Sequence, residues 1–221
     1  MTSNPRVTLG RMQNPVRGFL HGTAALAALV GTVFLLWRAS GRSATVAGLV
    51  FGIGLVGLFT TSSLYHSIPW TARWKQRMQR LDHSMIFVLI AATYTPLAVM
   101  TLDGWIRTAT LAGAWSIALV GIGQQVFFPR EENTLSVTLH TVLGWLAIFI
   151  LGPMVDRLGV VPVLLIALGG VIYTAGVVVI ATERPRLWPR IFSHHEVFHV
   201  LVVTAAAVHY AVIYRFVVPA G

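Results

Sequence analysis

The stretch VVPVLLIALGGVIYTAGVVVIA, residues 160–181, runs for 22 residues without a charged side chain. As a helix it spans about 33 Å, enough to cross a hydrocarbon core of about 30 Å. Uncharged runs of comparable length recur on its N-terminal side and once after it. Together they predict seven helices over 18–37, 44–66, 82–101, 106–128, 134–155, 160–181 and 195–218. The turn formers and charges collect in the short links between them, as in Ala39-Ser40-Gly41-Arg42 and Pro129-Arg130-Glu131-Glu132-Asn133. The expected fold is all-α: a polytopic membrane protein forming one seven-transmembrane helix bundle over 18–218, preceded by a tail over 1–17.

Composition points the same way. Only 10% of the residues are charged and 56% are hydrophobic, whereas soluble domains average about 25% charged, so an ordinary water-facing surface is excluded. With Cys 0, disulfide frameworks, thiolate metal sites and thiol redox chemistry are excluded too. The net charge of +9 does not imply nucleic acid, because in a membrane protein the placement of basic residues matters more than their sum. The first apolar run has full spanning length and lacks a small-residue cleavage site, so no removable signal is expected. Arg17 reads as a cytoplasmic anchor of the first helix.

Lys and Arg in the loops set the orientation. One side receives Arg6, Arg11, Arg17, Arg73, Lys75, Arg77, Arg80, Arg130, Arg184, Arg186 and Arg190; the other receives Arg38, Arg42, Arg107, Arg157 and Arg215. Eleven against five puts the N-terminus in the cytoplasm and, after seven spans, the C-terminus outside. The segment Trp70–Arg80, basic with interleaved tryptophans, is expected to lie on an anionic inner leaflet. Gly48, Gly52, Gly54 and Gly57 give the second helix small positions that let a neighbour approach.

Ionisable residues within apolar segments are functional candidates, and here they gather at one level. His66 ends the second helix with Ser62 one turn earlier on the same face, Asp82 opens the third, and His195 and His199 start the seventh one turn apart. Two histidines at i and i+4 with a third from another helix form a three-nitrogen set, which favours zinc when no cysteine is present. Three protein ligands leave the fourth tetrahedral position to water, the pattern of catalytic zinc. Taken singly, each residue also has a structural reading. His66 suits a helix end, Asp82 an N-terminal cap, Ser62 a bond to its own helix, and His195 and His199 a chance spacing. His21, His83, His140, His194 and His209 lack such company and read as structural, with His194 the nearest substitute ligand.

The set Ser62-x-x-x-His66, Leu81-Asp82 and His195-x-x-x-His199 resembles the signature of the hemolysin III branch of the progestin and adipoQ receptor superfamily. The neighbouring text RGFLHG (17–22), IFVLIAATYTP (86–96) and HHEVFHVLVV (194–203) agrees. The resemblance spans nearly the whole chain. It implies seven helices, the N-terminus inside, and a zinc ion near the inner leaflet held by His66, His195 and His199, with Ser62 and Asp82 touching the water beside it. It further implies a multi-pass protein of the plasma membrane, in a chain of bacterial type the inner membrane.

Three functions follow from this reading. The first is a zinc-dependent intramembrane hydrolase cleaving an amide or ester of an acyl-chain lipid, with Asp82 as general base and Ser62 orienting the water or the oxyanion. Its partners would be membrane lipids. The second is a non-enzymatic sensor, receptor or hemolysin-like pore with structural zinc. The third is an intramembrane metalloprotease, since His195-Glu196-Val197-Phe198-His199 is a His-Glu-x-x-His motif and Leu102-Asp103-Gly104 resembles a third-ligand motif. Topology opposes it, because Asp103 falls at the outer end of its helix, about 30 Å from His195.

Overall fold

The computed structural model describes residues 9, 12–128, 134–188 and 191–220. Arg6, Arg11, Arg130, Arg190 and the 129–133 link lie outside the described residues. Seven helices are long and apolar enough to cross a bilayer: α1 (Pro15–Arg38), α2 (Gly41–Ser67), α3 (Ala72–Thr101), α4 (Gly104–Phe127), α5 (Leu135–Leu158), α6 (Val160–Thr182) and α7 (His194–Val217). The expected spans are all present. An odd number of crossings places the two ends of the bundle on opposite faces of the membrane.

The helix ends follow from local chemistry. Pro15 occupies the first turn of α1, where a missing N–H costs nothing. The link from α1 to α2 turns at Gly41, whose φ of +82° suits a residue without Cβ. Two spans are irregular: α5 passes through a 3₁₀ segment at Leu146–Ile150, and α7 ends in a π turn at Ile213–Val217.

The third helix departs from expectation. It starts ten residues earlier than the apolar run, at Ala72 with Thr71 as N-cap, so Asp82 lies inside the helix rather than opening it. Hydropathy registers only the part that meets lipid. Residues 72–80 (ARWKQRMQR) are mostly strong helix formers with no breaker, and they carry the helix on beyond the apolar part. Within this extension Arg73, Lys75 and Arg77 are exposed, and the Arg77 guanidinium lies over the Trp74 ring at 5.0 Å.

Burial identifies the central element. In α3, 67% of the apolar window is buried, against 17% in α4 and in α5. The large side chains on the outer faces of those two, including Leu119, Phe127 and Phe149, are exposed and require lipid as solvent. Inside, Phe51, Leu55, Phe87, Leu97 and Val202 pack as an apolar core. Polar side chains tie helix to helix: Tyr94 Oη donates to Leu143 O (2.8 Å), Tyr210 Oη to Gly31 O (2.8 Å), and His209 Nε2 lies 3.1 Å from Ile166 O. Such bonds contribute about 0.6 kcal/mol on average in membrane interiors.

The glycines of α2 do set its approach to its neighbours. A Cβ at Gly54 would meet Ala92 Cβ of α3 at 2.7 Å, whereas one at Gly113 of α4 would meet nothing within 4 Å. Gly54→Ala should therefore lower the thermal unfolding midpoint of the detergent-solubilised protein, at a cost of about 1–3 kcal/mol for overpacking. Gly113→Ala should leave the midpoint unchanged or slightly raised. Equal melting of the two variants would show that α2 and α3 are not in this close contact.

Candidate metal centre

The end of α2 and the start of α7 meet at one level, and each delivers histidines. His66 sits in the last turn of α2, and His195 and His199 in the first two turns of α7. One imidazole nitrogen from each lies within 4.8 Å of the others. The ring centroids are 4.8 Å apart for His66 and His199, 5.0 Å for His195 and His199, and 5.4 Å for His66 and His195. His66 and His199 are buried and His195 is half-buried.

The donor set suits a cation. Three imidazoles converge in a buried place, and no carboxylate belongs to the group. Protonating all three would set like charges against one another in a poorly solvated site, whereas neutral rings present lone pairs that a metal ion satisfies together. Tetrahedral nitrogens on zinc stand about 3.4 Å apart, so modest side-chain rotation closes the set on one ion.

Ser62 and Asp82 form the adjoining wall. Both are buried, at 2% and 8% exposure, and the Ser62 side chain lies beside the Asp82 carboxylate. Ser62 precedes His66 by one turn, so the pair borders the histidines without joining them. All five residues singled out in the sequence therefore meet at one end of the bundle. His194 stays apart, with its Nδ1 3.4 Å from Ser193 Oγ and outside the histidine group.

Two residues were misread from sequence. Arg17 is not a surface anchor; it is 6% exposed, and its Nε donates to Glu196 Oε1 at 2.7 Å. His21 is not isolated either: its Nε2 lies 2.9 Å from His199 Nδ1, and it is 3% exposed. A signal was available. Glu196 is an acid at the start of an apolar span and needs a buried cation, and Arg17 stands at the matching level of α1, one turn before His21.

This pairing weighs against the protease reading. Besides the bond to Arg17, Glu196 Oε2 accepts from Ser193 N at 2.9 Å, completing a capping box at the start of α7. Its carboxylate serves the helix end and α1, and Glu196 is not a member of the histidine group. Asp103 stands at the far end of α3, exposed and bonded to Arg107 at 2.8 Å.

The start of α1 is fastened to the end of α2. Asn14 N–H donates to His66 O (3.0 Å), Gln13 N–H to Ser67 O (3.3 Å), and Ser63 Oγ to Gly18 O (2.8 Å). The backbone that carries His66 is thereby fixed against the helix that carries Arg17 and His21.

Comparison with known proteins agrees with this architecture. A family model described as "Haemolysin-III related" matches residues 10–210. Among curated proteins, "Hemolysin-3 homolog" of Bacillus subtilis (strain 168) is 33% identical over 190 residues, covering 85% of this chain and 86% of that protein. "Hemolysin-3" of Bacillus cereus is 31% identical over 202 residues, covering 90% and 89%. The human "Monocyte to macrophage differentiation factor" is 23% identical over 202 residues, covering 90% and 82%.

Two outcomes are expected. Elemental analysis of purified His66→Ala, His195→Ala and His199→Ala should each show strongly reduced transition-metal content against the parent, because two imidazoles bind far more weakly than three. Undiminished metal in His66→Ala would show that α2 supplies no ligand. For the buried ion pair, Arg17→Ala and Glu196→Ala should each cost about 3–5 kcal/mol of stability, since each strands the other charge. The double variant should lose clearly less than the sum of the two, as measured by thermal melting in detergent.

Proposed function

This chain belongs to the haemolysin-III-related family of the progestin and adipoQ receptor superfamily, and from that premise we propose that it is a zinc-dependent intramembrane hydrolase. Its substrate is an amide or ester of an acyl-chain lipid, and its role lies in membrane lipid homeostasis. Residues 18–218 form the membrane domain, and the tail before it faces the cytoplasm of a bacterial inner membrane, as the distribution of Lys and Arg supports. The exposed Arg73, Trp74, Lys75 and Arg77 at the start of α3 suit an anionic leaflet on that side.

The observation that carries the proposal is the Ser62–Asp82 pair bordering three converging imidazoles. Zinc fits the donors, being suited to imidazole where no thiolate is offered. When bound it supplies a Lewis acid that polarises a carbonyl and brings the pKa of water toward neutrality.

The chain's own residues do the rest. Asp82 takes a proton from the attacking water, and Ser62 holds the carboxylate in line for that transfer. The water oxygen bonds to the acyl carbon, the C–N or C–O bond breaks, and Asp82 returns the proton to the departing amine or alcohol. The products are a free fatty acid and that amine or alcohol. Burial of Ser62, Asp82, His66 and His199 limits bulk water at the reacting centre. The site lies at the ends of the spans, the depth of lipid carbonyls, so an acyl chain can remain in the bilayer while its head reaches the histidines.

The apolar interior disfavours a pore. The core between α2, α3 and α7 is lined by Phe51, Leu55, Phe87 and Val202, and the polar cluster occupies one end only. A non-catalytic sensor braced by zinc is the competing reading, and activity separates the two.

With a total lipid extract from the host, the zinc-loaded protein should release free fatty acid or amine. Release should vanish in Asp82→Asn and in the chelator-stripped protein, and return when zinc is restored. Asp82→Asn should keep most of its metal, with at most about 10–100-fold weaker binding as for a group beyond the ligands. Wild type with verified zinc that yields no product above the Asp82→Asn control would leave the sensor reading in place of the hydrolase.

A further inference from the structure

We infer that His21 is a positioning residue of the metal centre, holding the His199 ring so that its Nε2 is the nitrogen offered to the cation. The inference rests on the metal reading of the three-histidine group. It brings α1, which contributes no ligand, into the construction of the site.

One ring nitrogen of His199 is already engaged. His199 Nδ1 lies 2.9 Å from His21 Nε2, with the ring centroids 4.0 Å apart. Of the two ring nitrogens of His199, this contact occupies one and leaves Nε2 for the group shared with His66 and His195. A ligating nitrogen must be unprotonated, so the ring proton sits on Nδ1 and is donated to His21 Nε2. The opposite direction of the same hydrogen bond would put a proton on His199 Nε2 and point it at the other two imidazoles, which no cation site tolerates. The direction of this one bond therefore decides whether His199 is a ligand.

The consequence for His21 itself is visible. Accepting at Nε2 leaves its own proton on Nδ1, and that nitrogen is buried with no hydrogen-bond partner among the described residues. A buried unsatisfied N–H is unfavourable and calls for an explanation. Presenting an acceptor to His199 supplies one.

Neighbouring contacts fix His21 in this role. Arg17 and His21 are one turn apart on α1, and Glu196 and His199 are nearly one turn apart on α7, so Arg17–Glu196 and His21–His199 form two successive rungs between the helices. The Phe59 ring of α2 meets the His21 ring edge-to-face at 5.2 Å. A ligating histidine commonly donates its second N–H to a carboxylate. Here the nearby carboxylate is engaged by Arg17, and a neutral imidazole takes its place. A neutral partner donates less electron density through the ring, so a cation held there would be a stronger Lewis acid.

The test is zinc affinity of the full chain in detergent, measured by competition with a chromogenic chelator, with His66→Ala as the ligand-loss control. His21→Ala should weaken zinc binding by about 10–100-fold, the usual loss for a partner of a ligating histidine. His21→Gln, whose amide oxygen reaches the position of Nε2, should restore most of the affinity. His21→Asn, of similar polarity but too short to reach His199, should behave like His21→Ala and carries the test if the alanine variant does not fold. The zinc-free Gln and Asn variants should melt alike, so that their affinity difference is not one of stability. Unchanged affinity in His21→Asn, or equal losses in His21→Gln and His21→Asn, would overturn the inference while leaving the metal site standing. A wild type that takes up no zinc, or a His66→Ala that binds as tightly as wild type, would remove the metal reading and this inference with it.

Discussion

Polar groups carried into the edge of a hydrocarbon layer must satisfy one another, because the solvent there offers them almost nothing. This requirement organises one end of the bundle. Arg17 and Glu196 neutralise each other across α1 and α7, His21 and His199 share a proton one turn deeper, and Ser62 meets Asp82 between α2 and α3. Each contact joins residues from different helices, so the helices can be assembled in few other ways without stranding a charge or a donor. The rest of the fold is mostly apolar, with scattered ties such as Tyr94 to Leu143 and Tyr210 to Gly31, and is less discriminating. Its outward faces are solvated by lipid, and its core excludes water without selecting one arrangement as sharply.

Much of this was legible in the chain. The seven spans follow from run length, and Ser62, His66, Asp82, His195 and His199 stand out because each is a polar residue at the same end of an apolar run. What escaped has physical reasons. The early start of α3 is invisible to hydropathy, since residues 72–80 form helix outside the apolar part, and this moved Asp82 from a helix end to a helix interior. The Arg17–Glu196 and His21–His199 contacts join residues 179 and 178 positions apart. No local pattern encodes such pairs; only the matching levels of Arg17 and Glu196 at the ends of their spans point to one. The glycines of α2 were readable as close-approach positions, but which helix each one faces depends on packing.

The same geometry explains why a His-Glu-x-x-His pattern need not mean a protease. The motif supplies a base only if the glutamate faces the cation, and here its two oxygens hold the helix start and the α1 arginine. The carboxylate that borders the histidines comes from α3 instead. Separating the two acids, one structural and one beside the histidines, suits a site in which a single carboxylate moves protons while the other keeps α1 and α7 in register.

In the proposed centre, α2 and α7 hold one metal ion through three imidazoles while His21 stands behind them. X-ray absorption at the zinc edge of the purified protein tests it most directly. Three imidazole nitrogens at about 2.0 Å and one further light scatterer that is not imidazole are expected. A fourth imidazole, a sphere made mainly of carboxylate and water oxygens, or no zinc edge at all would contradict it.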